Sequence, residues 1–119
     1  MLAVEQIKGD EYTVEHDPDA HTVTFKGTIR LQTSDDYLPM TQLLQVAHTS
    51  AAGERLSLDF RQLQFLNSSG ISTISKFVIG ARKQDKLQLN VVGNRDIYWQ
   101  QKSLGNLQKL WPKVQIEII

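Results

Sequence analysis

Leu58-Asp59-Phe60-Arg61-Gln62-Leu63-Gln64-Phe65-Leu66-Asn67-Ser68-Ser69-Gly70-Ile71 decides the fold, because an apolar strand runs into a turn of small residues that opens an amphipathic helix. Ile71, Ile74, Phe77, Val78 and Ala81 recur at helical spacing and form the inward face of that helix. The first backbone N–H groups of a helix lack partners and carry the positive end of its dipole. Serines at this junction therefore occupy a place that tolerates an added anion. A phosphate there would alter the surface and spare the core. The structural alternative for Ser68 is helix capping, which contributes about 1 kcal/mol without any signalling role. The Ser69 side chain is a second candidate for the cap.

Upstream, residues 11–16 and 21–31 alternate polar and apolar positions on either side of Asp17-Pro18-Asp19-Ala20, the pattern of a β-hairpin. Ser34, Asp35 or Asp36 can cap a following helix whose apolar positions are Tyr37, Met40, Leu44, Ala47 and Ala51, with Leu43 widening the stripe. Pro39 is compatible with that helix because it lies in the first turn. Downstream, residues 87–92 read as a strand ended by Gly93-Asn94. A third helical region carries Ile97, Trp99, Leu104, Leu107 and Leu110, is broken in two near Gly105, and stops at Pro112. Residues 114–119 close the chain as a strand.

A hairpin followed by strands alternating with helices predicts an α/β domain with a mixed, mostly parallel sheet, since parallel neighbours need crossover connections. The expectation is one domain over residues 1–119, about five strands opened by the N-terminal hairpin, and three to four helices mainly on one face. The opposite sheet face should be polar. The length of 119 residues suits one hydrophobic core, and 40% hydrophobic with 22% charged residues is the globular range. There is no internal repeat, linker or low-complexity segment.

Thirteen Lys and Arg balance thirteen Asp and Glu, so nothing in the charge points to nucleic acid or an acidic membrane as partner. The absence of cysteine excludes disulfides, thiolate metal sites and cysteine nucleophiles. Met1-Leu2-Ala3-Val4-Glu5-Gln6 lacks the basic segment and apolar run of a secretory signal, and no apolar stretch approaches membrane-spanning length, so a cytoplasmic location is expected. His16, His21 and His48 have no metal-ligand spacing and read as surface residues; no metal or cofactor is expected. No Gly-x-Ser-x-Gly elbow surrounds Ser68 and no His is placed to activate it, so the chain reads as non-enzymatic. Trp99, Leu104, Leu107, Leu110 and Trp111 are expected to pack the core or its edge.

The order of elements, together with Asp59-Phe60 at a strand end followed by Phe65-Leu66-Asn67-Ser68-Ser69-Gly70-Ile71, resembles the STAS domain, the fold of bacterial anti-sigma-factor antagonists. The likeness extends over nearly the whole chain. In that family the turn usually reads Asp-Ser-Ser-Gly or Asp-Ser-Thr-Gly, and the first hydroxyl residue after the acid is phosphorylated by an anti-sigma factor acting as a serine kinase. The resemblance implies that Ser68 is that residue, that the unphosphorylated form binds its partner, and that a phosphatase restores it. It also implies a partner surface made of Asn67, Ser68, Ser69, Gly70, Ser72 and Thr73.

Asn67 departs from the family's acidic residue: it keeps a small side chain able to bond backbone N–H groups but removes a negative charge beside Ser68. The alternative function is therefore a phosphorylation-independent binding or scaffold module that senses a small molecule or nucleotide.

Overall fold

The computed structural model describes residues 5–119; the reading of Met1, Leu2, Ala3 and Val4 as free of a secretory signal lies outside them. Six strands, β1 (Glu5–Lys8), β2 (Tyr12–Asp17), β3 (Thr22–Ile29), β4 (Arg55–Leu66), β5 (Gln88–Gly93) and β6 (Gln115–Ile118), form one sheet in sequence order. β1, β2 and β3 are joined antiparallel, whereas the β3–β4, β4–β5 and β5–β6 pairs are parallel. The sheet thus has one strand more than the sequence pattern shows. The addition is β1, a four-residue edge strand with Ile7 as its only half-buried side chain, too short and too polar to announce itself.

Four helices follow the strands: α1 (Leu38–Ser50), α2 (Ser68–Gln84), α3 (Tyr98–Gly105) and the single turn α4 (Leu107–Leu110). The break at Gly105 and the stop before Pro112 fall where expected. The start of α1 does not. Its N-cap is Tyr37, with no side-chain cap bond, and neither Ser34, Asp35 nor Asp36 caps it. Asp36 instead turns back, its carboxylate accepting from the N–H groups of Gln32 (3.3 Å) and Thr33 (3.1 Å) while the Thr33 hydroxyl accepts from Asp36 N–H at 3.1 Å. These bonds hold the carboxyl below its usual range, the Thr33 backbone contact being the largest cause.

One sheet face is apolar and carries the helices. Val14, Val23, Phe25, Leu58, Phe60, Leu89 and Val91 are buried there, at alternate strand positions. Phe25 and Phe60 stack across the parallel β3–β4 pair with ring centroids 4.5 Å apart. Glu15, Lys26, Ser57, Asn90 and other polar side chains occupy the opposite face, only partly buried. On that face Asp59 takes three hydrogen bonds from Arg61, two from the guanidinium and one from the backbone. Burial pushes the Asp59 carboxyl up, and the Arg61 contacts outweigh it, leaving it below its ordinary value.

β4 carries two extra residues relative to β3, since Thr24 and Lys26 pair with Asp59 and Gln62, and Gly27 and Thr28 with Leu63 and Phe65. Each irregularity resets the alternation, so Phe60, Leu63 and Leu66 all point inward. The backbone groups displaced by the first are met by Gln100 of α3, which is fully buried. Its amide donates to Phe60 O (2.6 Å) and Leu63 O (2.9 Å), and its carbonyl accepts from Asn94 N–H at 2.7 Å.

His16 and His48 correct the sequence reading: they are not surface residues, being only 2% and 4% exposed. His16 sits at an inward position of β2, and His48 lies one helical turn beyond Leu44 with its ring edge-on to Phe77. Burial lowers the pKa of both. His21 is half-buried and pairs with Glu54. Trp111, Leu104 and Leu107 are buried as expected, and Trp99 and Leu110 pack against the core edge.

Candidate partner-binding site

β4 delivers the chain to the start of α2 at the end of the sheet where the loop of residues 30–37 also emerges from β3. The residue that organises this junction is Asn67, not either serine. With extended backbone (φ −76°, ψ 175°) it is the N-cap of α2, and its Oδ1 accepts from Gly70 N–H at 3.0 Å. The same oxygen accepts from the Tyr37 hydroxyl at 2.6 Å, and Nδ2 donates to Leu31 O at 2.8 Å. Asn67 N–H further donates to Ile29 O at 3.2 Å. Both ends of the amide are thus used, and the preceding loop is bound to the first turn of α2. The Tyr37 hydroxyl is protonated at neutral pH as the donor this arrangement needs, and burial raises its pKa further.

Because Asn67 is the cap, Ser68 is the first residue of α2 and its side chain is free of that duty. It is exposed, and its hydroxyl makes no hydrogen bond among the described residues. Ser69 is half-buried and reaches Gln32 O at 3.4 Å, so it is neither the cap nor as open as Ser68. Ser72 is exposed, Thr73 is half-buried with its hydroxyl donating to Ser69 O at 2.9 Å, and Lys76 projects one turn beyond Ser72. Ile74, Phe77, Val78 and Ala81 anchor the opposite side of the helix in the core, with Ile71 half-buried.

Gly70 has a different position from its neighbours. It is buried, and a Cβ built on it would lie 2.2 Å from Leu66 Cδ1 and 2.9 Å from the Tyr37 hydroxyl. A side chain there would therefore have to displace Leu66 and Tyr37 in the packing between α2, β4 and the start of α1. Of the six residues assigned to a partner surface, Ser68 and Ser72 are open, Asn67, Ser69 and Thr73 are partly so, and Gly70 is an internal support.

A cleft of about 300 Å³ lies between the loop and the helix, lined by Gln32, Thr33, Ser34, Tyr37, Ser68, Ser69, Ser72, Thr73 and Lys76. The loop wall was not legible in the sequence, although Thr33 and Ser34 share the hydroxyl character of the helix wall. Among the described residues no His, Asp or Glu cluster could hold a metal ion, and no helix is long and apolar enough to cross a membrane. The chemistry present at the cleft is hydrogen bonding and one cation, with an unencumbered serine hydroxyl at its rim.

No protein-family model matches the chain, and no curated protein is similar to it in sequence. Solved structures do match in fold. SiaC of Pseudomonas aeruginosa superposes with a TM-score of 0.73 at 14% identity, covering 99% of this chain and 98% of SiaC. SiaC in complex with the diguanylate cyclase SiaD, whose activator it is, gives 0.72 at 14% identity over 97% and 99% of the two chains. An anti-sigma factor antagonist from Mycobacterium paratuberculosis gives 0.53 at 17% identity over 95% and 86%. The six-stranded mixed sheet with its helices on one face is accordingly a STAS-like α/β fold, the architecture of SiaC and of that antagonist.

Proposed function

We propose that this chain is a non-enzymatic regulator that works by binding a signalling protein through the start of α2, and that phosphorylation of Ser68 switches the binding off. The partner would be an anti-sigma factor or related serine kinase, with a phosphatase reversing the modification in the cytoplasm. The observation that carries this reading is the division of labour between Asn67 and Ser68. Capping and packing are discharged by the asparagine, leaving an exposed serine hydroxyl on a rigid, well-anchored helix end. A phosphoserine there adds about −1.5 to −2 charges without touching the core. Support also comes from the proteins of the same fold, one an anti-sigma factor antagonist and the other the activator of a partner enzyme. Intact mass of the protein taken from its native cells, with the modified residue located by fragmentation, tests the switch. One added phosphate on Ser68 is expected; phosphate on Ser69 instead would show that the wrong hydroxyl had been assigned.

A second reading is favoured by one feature, the amide of Asn67. Its donor is committed to Leu31 O, so the turn is built around an uncharged residue where the family carries an acid. On this reading the chain is a constitutive binding module, and Ser68→Ala leaves signalling in the cell unchanged.

A further inference from the structure

The cleft beside Ser68 does not end at the helix start. Ser34, Tyr37, Thr73 and Lys76 also line a second hollow of about 170 Å³ between α1 and α2, which continues to Thr41 and Gln45. Together the two make a furrow that follows α2 from Ser68 to Phe77. That is a rise of about 14 Å at 1.5 Å per residue, the reach of about four extended residues. Thr33, Ser34, Thr41, Ser68, Ser72 and Thr73 contribute hydroxyls to its walls, and Leu44 and Phe77 make the end between α1 and α2 partly apolar. Lys76 is the one charged side chain lining both hollows, and it makes no ion pair among the described residues. Neither Asp35 nor Asp36 lines them, and the Asp36 carboxylate is occupied by the N–H groups of its own loop.

We infer that this furrow receives a short extended acidic segment of the partner protein, with a carboxylate on Lys76 and the hydroxyls bonding its backbone. This rests on the partner-binding reading above and gives the switch a physical cause. Ser68 lines one end of the furrow, so its phosphate places about −1.5 to −2 like charges, and bulk, beside the acidic segment. Lys76 then supplies charge selectivity rather than most of the affinity, because an exposed ion pair contributes little.

The test uses the full chain, labelled with 15N, and two probes: a capped tetraglutamate peptide and a capped tetraglutamine peptide of the same length. Tetraglutamate should shift the amide signals of Thr33, Ser34, Thr41, Ser72, Thr73 and Lys76 saturably, and bind about threefold more tightly than tetraglutamine. Lys76→Gln should erase that preference, while Lys83→Gln, at the exposed far end of the same helix, should retain it. Both lysines are exposed, so neither variant threatens the fold. Phosphoserine installed at position 68 should weaken tetraglutamate more than tetraglutamine. Equal binding of the two peptides, shifts that map outside the furrow, or an unchanged preference in Lys76→Gln would overturn the inference. If tetraglutamate occupies the furrow yet phosphoserine leaves its affinity unchanged, the furrow stands and the switch falls.

Discussion

Asn67→Asp would appear conservative, restoring a family-like acid of the same size, but the hydrogen bonds predict that it destabilises the protein. The cap to Gly70 N–H and the acceptor for the Tyr37 hydroxyl survive, since both use an oxygen. What is lost is the donor to Leu31 O, replaced by a carboxylate oxygen facing a carbonyl oxygen across a 2.8 Å gap. Leaving a partly buried carbonyl unpaired costs about 1–3 kcal/mol, and the new charge at the helix N-terminus returns about 0.3–1 kcal/mol. The expected net loss at neutral pH is about 1–2 kcal/mol. Asn67→Ala forfeits the cap as well and strands the buried Tyr37 hydroxyl, for a loss of about 2–4 kcal/mol. Urea denaturation followed by circular dichroism resolves these values. With a slope of about 2 kcal/mol/M, the aspartate variant should unfold about 0.5–1 M earlier than the native protein, and the alanine variant earlier still. An aspartate variant as stable as the native protein would show that the Leu31 bond contributes nothing and that Asn67 is not the joint between loop and helix.

Gln100→Leu removes the partner of two carbonyls at the β4 irregularity and of the Asn94 N–H after β5, and should cost more than about 3 kcal/mol, read as a fall in urea midpoint, because apolar volume cannot replace those bonds. Gly70→Ala gains about 1 kcal/mol of helix propensity but forces Leu66 and Tyr37 apart at a cost of about 1–3 kcal/mol. It should therefore come out neutral to destabilising in thermal melts, where a clear gain would contradict the packing described. His16 and His48 have folded-state pKa values below the ordinary 6.5, so the unfolded chain binds more protons as pH falls. Stability should be full above about pH 6.5 and decline below it towards the depressed folded values. Urea midpoints between pH 8 and pH 5 measure this, and replacing both histidines by Phe should flatten the profile in that interval.

The hairpin, the parallel βα units and the broken C-terminal helix were legible because they rest on strong local patterns: alternation in β2 and β3, a helical stripe in α2, and Gly105 and Pro112 as punctuation. The position of Ser68 was legible for the same reason, since the strand-to-helix junction is a local event. What could not be read depends on contacts between distant segments. Nothing near Asn67 in the sequence announces Leu31 or Tyr37 as its partners, and with those unseen the capping role fell to the serines. Gln100 is polar and gives no sign of burial in the sequence; its amide is needed only once the fold brings two β4 carbonyls and the Asn94 N–H after β5 around it. His48 continues the apolar stripe of α1, yet its residue type argues for the surface. The side chains of the loop wall, Gln32 to Ser34, join the site only through the fold.

On the proposed function, a partner is bound at the start of α2 and released when Ser68 is phosphorylated. The most direct measurement is the dissociation constant of the copurifying partner, identified from native cells, for the unmodified chain and for the chain carrying phosphoserine at position 68. The phosphorylated form should bind at least about tenfold more weakly, since like charge and bulk enter the interface. Equal affinity of the two forms would contradict it and leave a STAS-like binding module without a switch at Ser68.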